Sequence, residues 1–545
     1  MLQKWVSSAR EDRPVWLPDV REACAQNPVA VHAVLRLALC TGGEVEFPLD
    51  IPLWDSPEEE RFVTEYVNAC VFNTLSAYSG QKITIFLPTG SERCRALLER
   101  LPETFQLPQP RRSGYGKAVS VANRLCRAFG AEAFTFALED MERYTPVSAP
   151  DRETKNVLGE RLREAVACSG HGLFCGVDIG GTDVKLVLAR DGRLLDVRVL
   201  DWNPAESPTA EGITGPIVDM ISAAVAANAP GEKLDGLGIS FPDVVIRDRI
   251  VGGETPKTRG MRENQSLDYE TEFAKLTRLT DTLAPLCREG APIRVTNDGH
   301  IAALTAAAEL AVSGRPEEVS GGVIAHSLGT DLGTGWLNDD GSIPEIPLEL
   351  YDFLLDLGSW PSRELEPRDL RCVRNENSGL PGARRYLGQA AAFRLAQKAK
   401  PSLLDGFTVR EGEALVLSEQ PDLRKPCLEH LMQAAQDGDE AARDVFRQIG
   451  FHLGPVNREL EFLLHPQSRV RFLFGRFVKK PACFALLKEG CAAAAPELRL
   501  EAADDALAVT GLMKELSRRS SDAVAQFGQA VGAVYFSLME KEARK

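Results

Sequence analysis

Two apolar strands run into glycine turns and emerge as further strands, about 150 residues apart, and this pairing constrains the fold more than any other feature. In the first, residues 173–177 meet Asp178-Ile179-Gly180-Gly181-Thr182 and continue as a strand at 184–189; Asp191-Gly192 then turns into a third strand at 194–200. In the second, residues 322–327 meet Leu328-Gly329-Thr330-Asp331-Leu332-Gly333-Thr334, and Gly335-Trp336-Leu337 follows. Adjacent glycines let backbone approach a phosphate without a Cβ clash and leave the amides free to donate to it. Taken alone, either turn is equally a tight hairpin with no ligand, because glycine turns are common. Two of them in matching strand context point to two lobes that grip one nucleotide.

The elements between the turns agree. A helix at 213–227, a strand at 236–240, a strand at 293–296 and an alanine-rich helix at 301–310 follow the first three strands. That order is the half-domain of an actin-like ATPase. At its end lies Thr296-Asn297-Asp298-Gly299. A carboxylate at such a strand end faces an interlobe cleft and can take the proton of an attacking hydroxyl, while Asn297 can hydrogen-bond a neighbouring one. Asp298 can equally serve as a cap of the helix that follows. In the first turn Thr182 adds a hydroxyl donor, Asp178 can hold magnesium through water, and Lys185 can neutralise phosphate charge.

At 545 residues the chain is too long for one core. It divides into an α/β accessory region at 1–165, a first lobe at 166–315 and a second lobe at 316–545, with the last helix (523–540) able to pack back on the first lobe. In the accessory region, helices at 58–78 and 91–101 flank a strand at 83–87, and prolines 48, 52 and 57 break up an earlier stretch. Ser113-Gly114-Tyr115-Gly116-Lys117 lacks the spacing of a phosphate loop and reads as a loop entering a helix near Lys117. The net charge of −15 argues against nucleic acid or an anionic membrane as the main partner. No run of about 18 apolar residues predicts a membrane span, and no signal-peptide pattern opens the chain, so a cytoplasmic location is expected. The twelve cysteines are scattered and form no CxxC pair, which favours separate thiols over a disulfide framework or zinc cluster.

These motifs resemble the ROK family of sugar kinases, within the actin–hexokinase superfamily, over about two thirds of the chain from Phe174 onward. The resemblance implies a two-lobed, ribonuclease H-like α/β fold, ATP and Mg2+ as cofactors, and a sugar or sugar-like acceptor. It implies Asp298 as general base and Asp178 as the magnesium-organising carboxylate. Gly180, Gly181, Thr182, Lys185, Gly329, Thr330 and Gly333 would hold phosphates, and Gly475 would stand in the adenosine motif. Asn297, Ser240, Lys257 and Glu349 would line the acceptor site, and a homodimer is compatible with the family. Several positions depart from its pattern. Asp243 and Asp331 replace glycines, Gly475-Arg476 replaces a glycine pair, Lys257 stands near an expected asparagine, and Glu349-Leu350-Tyr351-Asp352 keeps an acid but lacks a histidine. The family's zinc ligands are missing, with Cys372 alone in the corresponding region, so no structural zinc is expected. A rival expectation is a catalytically silent nucleotide- or sugar-binding regulator of the same fold.

Overall fold

The computed structural model describes residues 2–539 other than 12, 106–113, 148–153, 314, 330–331, 359–379, 381, 413, 419, 421–422, 503–510 and 521–522. Two short helices, Leu2–Arg10 and Leu17–Ala25, come first, and a hairpin sheet follows them. β1 (Val31–Ala38) pairs antiparallel with β2 (Glu44–Ile51), and after α1 (Pro57–Tyr78) β3 (Lys82–Leu87) adds to the other side of β1. Then α2 (Gly116–Phe129) crosses to β4 (Thr135–Asp140), parallel to β3, giving the order β2-β1-β3-β4. Local signals fix α1: Ser56 accepts from the Glu59 amide at 3.2 Å, Pro57 opens the first turn, and Glu58, Glu59 and Glu60 meet the positive end of the helix dipole. Two features differ from the sequence reading. Pro48 lies inside β2, opposite Val34, because β2 is an edge strand where a missing N–H costs no ladder bond. The helix expected at 91–101 is two short ones, Glu92–Leu98 and Leu101–Phe105.

After α3 (Leu158–Cys168), β5 (Leu173–Ile179), β6 (Asp183–Arg190) and β7 (Arg193–Asp201) form an antiparallel meander. α4 (Ala210–Asn228) then leads to β8 (Gly236–Phe241), parallel to β5. A small hairpin of β9 (Val245–Ile246) and β10 (Arg249–Ile250) precedes β11 (Ile293–Asn297), parallel to β8, and α5 (Asp298–Val312). The sheet order β11-β8-β5-β6-β7 is the ribonuclease H-like order. Among the described residues α4 is the one helix long and apolar enough to cross a membrane, and its Ile213, Ile217, Ile221 and Ala224 are buried in the core against this sheet.

The second lobe repeats the plan. β12 (Val323–Leu328) pairs antiparallel with β13 (Leu332–Leu337); a separate hairpin, β14 (Thr408–Glu411) and β15 (Ala414–Leu417), and the long α6 (Glu440–Leu464) intervene. β16 (Val470–Phe474) then lies parallel to β12, and after α7 (Pro481–Ala494) β17 (Arg499–Ala502) lies parallel to β16. The order β13-β12-β16-β17 is that of the first lobe without its third meander strand. The fold is therefore the two-lobed actin-like one, established by strand order and direction.

Close backbone approach seats α8 (Ala523–Leu538) on the first lobe. A Cβ on Gly176 of β5 would lie 1.9 Å from the Ala530 carbonyl oxygen, and one on Gly238 of β8 1.8 Å from that of Ala533. Only glycine permits this packing at either position. The accessory sheet shares one continuous apolar core with the second lobe, running from Leu17, Phe62 and Phe72 to Phe446, Leu460 and Leu487. Inside that seam Glu459 of α6 accepts from Arg21 at 2.8 Å and from Asn73 at 2.9 Å, and the Arg21 guanidinium stacks on Phe462. A smaller cluster, Val121 and Leu125 of α2 with Val244, Ile246 and Val251, joins the accessory region to the first lobe.

Candidate active site

Three parallel strands, β5, β8 and β11, end side by side, so the residues at their carboxyl ends share one edge. Asp178 pairs in register with Ser240, and Ser240 with Thr296, which puts Asp298 just beyond the same edge. The Ser240 hydroxyl donates to Asp178 at 2.8 Å. Burial pushes Asp178 up to about 6, against Ser240 and the nearby Lys185; the charges of Asp298 and Asp183 push the same way as burial. Burial likewise raises Asp298, and the Lys257 ammonium opposes it.

The glycine turn is braced from behind. The Gly180 amide donates to the Asp183 carbonyl at 2.8 Å, and Trp202 donates its indole N–H to the Gly180 carbonyl at 3.1 Å and its amide to the Thr182 carbonyl at 3.1 Å. A Cβ on Gly180 would lie 2.9 Å from the Asp183 backbone oxygen, so the tight turn requires glycine there. Lys185 spends its ammonium on Asp183, 2.7 Å away. Lys257 instead reaches the turn: its Cε lies 3.5 Å from the position a Cβ on Gly181 would take, and its charge acts on Asp298. It is the cation lying between the first glycine turn and the candidate base.

Asn297 and Asp298 divide the capping work. Asn297 is the N-cap of α5: its side-chain oxygen accepts from the Gly299 amide at 2.8 Å and its amide donates to the Asp243 carbonyl at 3.0 Å. Asp298 occupies the first turn, with Oδ1 accepting from the same Gly299 amide at 2.9 Å. Asp243, which stands where glycine is usual, ties its own turn together. It accepts from the Val244 amide at 2.8 Å and the Gly253 amide at 2.9 Å, and burial raises it to about 6.

In the second lobe the Gly329 carbonyl accepts from the Gln389 amide at 2.9 Å, and the space beside Gly329 is open. Gly333 pairs with Ser327 across the hairpin. The phosphate role expected of Thr330, and the departure at Asp331, fall outside the described residues, as does Cys372. Gly475 follows β16 at φ +94, where a Cβ would lie 2.3 Å from the Leu328 carbonyl oxygen. It thus lies against the end of β12, and Arg476 turns away to Glu429 at 2.6 Å.

The accessory region reaches this site through α2, which in sequence reads as an ordinary helix. Lys117 is buried, donates to the Tyr351 hydroxyl at 2.9 Å, binds Asp352 directly and lies 3.9 Å from Glu349. Tyr351 in turn donates to Glu349 at 2.6 Å. Burial pushes Glu349 up to about 7 despite the Lys117 charge. Two turns along α2, buried Arg124 donates to the Gly252 carbonyl at 2.6 Å, binds Glu254 and reaches Glu270 at 3.0 Å. One helix therefore delivers a cation to each lobe, and Glu254, Glu349 and Asp352 are already partnered by it.

Among the described residues no group of three or more His, Cys, Asp and Glu side chains is arranged to hold a metal. A magnesium ion at Asp178 would need water and phosphate oxygens for the rest of its shell, as magnesium sites on nucleotides ordinarily have. The glycine turns fit phosphate on steric grounds, through tight backbone at Gly180 and open space at Gly329.

No family model matches the sequence, and no curated protein sequence matches it significantly. Solved structures do. The solved structures that this chain resembles include those of ROK-family proteins, sugar kinases among them. A ROK-family glucokinase from Streptomyces griseus, solved with glucose and AMPPNP, is 21% identical with a TM-score of 0.40, over 67% of this chain and 99% of that one. A ROK hexokinase from Thermus thermophilus is 18% identical with a TM-score of 0.38, over 66% and 98%. A ROK-family transcriptional regulator, homologous to the E. coli MLC protein, is 14% identical with a TM-score of 0.39, over 68% and 81%.

Proposed function

We propose that the protein transfers the γ-phosphoryl group of ATP to a hydroxyl of a sugar or sugar-like molecule, with Asp298 as general base. The observation that carries this reading is the convergence of Asp178, Asp298 and Lys257 beside the Gly180-Gly181-Thr182 turn, on adjoining strand ends. Nucleotide with Mg2+ would supply the transferable group and screen its charge. Gly180, Gly181, Thr182, Gly329, Thr330 and Gly333 would hold phosphates, Gly475 would border the adenosine, and Asp178 would hold magnesium through water. Lys185 is already paired with Asp183, so Lys257 is the better-placed cation for the phosphate.

On the acceptor side Asp298 takes the hydroxyl proton. Burial raises its carboxyl above the ordinary aspartate value, which makes it a stronger base than a solvated aspartate. Ser240 and Asn297 act mainly by fixing Asp178 and the start of α5, and Glu349 offers an acceptor for sugar hydroxyls. Phosphoryl transfer is chiefly positioning and charge stabilisation, so the closeness of the lobes matters as much as the base. The division at 1–165, 166–315 and 316–545 belongs to the same proposal.

One observation favours a second reading, a silent regulator. Glu254, Glu349 and Asp352 already have cationic partners from α2, so a neutral sugar must compete for them. Incubation with ATP, Mg2+ and a panel of sugars separates the two. Turnover supports the kinase; saturable binding of nucleotide or sugar without turnover supports the regulator.

A further inference from the structure

The accessory region carries a pair of thiols that neither reading uses. Cys40 follows β1 and Cys126 lies in α2, and their sulfurs are 3.1 Å apart, inside van der Waals contact. Eighty-six residues separate them in sequence, so the fold and not local chain geometry brings them together. Closing the gap to a bond of about 2.05 Å takes about 1 Å of movement. Cys40 is half-buried and Cys126 fully buried, so a small oxidant reaches the pair from the Cys40 side. The Cys40 thiol donating to its partner holds Cys126 below the usual thiol value, a thiolate-favouring arrangement.

The surroundings give the pair a consequence. Cys40 packs on the small cluster of Val121, Leu125, Val244, Ile246 and Val251 that joins α2 to the first lobe. Arg124, two residues before Cys126, binds Gly252 and Glu254 of that lobe, and Thr41, next to Cys40, accepts from Arg247 at 3.2 Å. A bond between the two sulfurs would staple the turn after β1 to the helix that contacts both lobes.

We propose that Cys40 and Cys126 are a reversible modification site, oxidised by hydrogen peroxide to a disulfide that fixes α2 against the accessory sheet. One proton of the pair is lost; the one that remains passes across the 3.1 Å contact from Cys40 to Cys126, and the thiolate so left on the half-buried Cys40 attacks a peroxide oxygen. The O–O bond breaks, hydroxide leaves, and Cys40 becomes a sulfenic acid. The Cys126 sulfur then attacks the Cys40 sulfur, the S–S bond forms, the S–O bond breaks, and the second oxygen leaves as water with the Cys126 proton. In sum two thiols and one peroxide give one disulfide and two waters; both sulfurs are oxidised and both peroxide oxygens reduced. None of this depends on the protein being a kinase.

The test uses the full-length protein and stoichiometric hydrogen peroxide, followed by alkylation under denaturing conditions and peptide mass mapping. The expected result is a peptide cross-linked through Cys40 and Cys126 as the main product. Titratable thiols should fall from twelve to ten, with full reversal by dithiothreitol. Cys40→Ser should abolish the cross-link; if that variant does not fold, the wild-type map decides alone. Alkylation of both Cys40 and Cys126 after peroxide, or their appearance as separate sulfinic acids, would overturn the proposal.

Discussion

Replacing Lys117 with methionine removes a buried cation from between Glu349, Tyr351 and Asp352 while keeping most of its volume. Lys117 and Asp352 are 3% and 2% exposed, so nothing but the protein compensates the carboxylates once the ammonium is gone. Breaking one side of a buried ion pair costs about 3–5 kcal/mol, and the Tyr351 hydroxyl loses its donor as well. The penalty should depend on pH. Glu349 already has its folded value raised to about 7 from 4.5, so its stability contribution falls as pH rises through that window. Without Lys117 the Glu349 carboxylate binds its proton more tightly still, so the variant should recover much of its deficit as pH falls from 8 to 5. Urea denaturation at both pH values measures this. A variant within about 1 kcal/mol of wild type at pH 8, or one whose deficit grows on acidification, would refute the buried-pair account. Lys117→Met combined with Asp352→Asn should be more stable than Lys117→Met alone at pH 8.

Asp178→Asn should stabilise the fold above pH 6 by about 1–3 kcal/mol, because a carboxylate raised to about 6 by burial destabilises the folded state once ionised, and thermal melts against pH will show it. The same variant should lose phosphoryl transfer, read in a coupled ADP assay. Lys257→Met removes the cation acting on Asp298, so the acid limb of the pH–rate profile should move to higher pH and the ATP KM should rise. Gly176→Ala puts a methyl 1.9 Å from the Ala530 carbonyl oxygen and should cost about 1–3 kcal/mol in a denaturant titration by lifting α8 from β5.

The first lobe was the most legible part of the sequence. Its strands are apolar runs bounded by glycine turns, and the boundaries expected for β5, β6, β8 and β11 fall within three residues of those observed. The position of Asp298 is legible because a strand end and an alanine-rich helix bracket it. The hairpin of β1 and β2 was hidden, because Pro48 in an edge strand looks the same in sequence as a proline that breaks one. Lys117 and Arg124 were hidden for a different reason. Their partners Asp352 and Glu254 lie 235 and 130 residues away, and on α2 they look like the solvated charges of any amphipathic helix. The brace of Trp202 on the glycine turn has only weak sequence signal, an aromatic residue just after the meander. Long-range pairing of buried charge carries no local period, so spacing alone does not reveal it.

The most direct measurement compares wild type and Asp298→Asn with ATP, Mg2+ and a panel of sugars, alongside nucleotide binding by calorimetry. Wild type should phosphorylate at least one sugar. The variant should lose about 10²–10⁴-fold in kcat while binding ATP as before. Wild type that binds nucleotide or sugar without turnover across the panel, or a variant as active as wild type, would contradict the account.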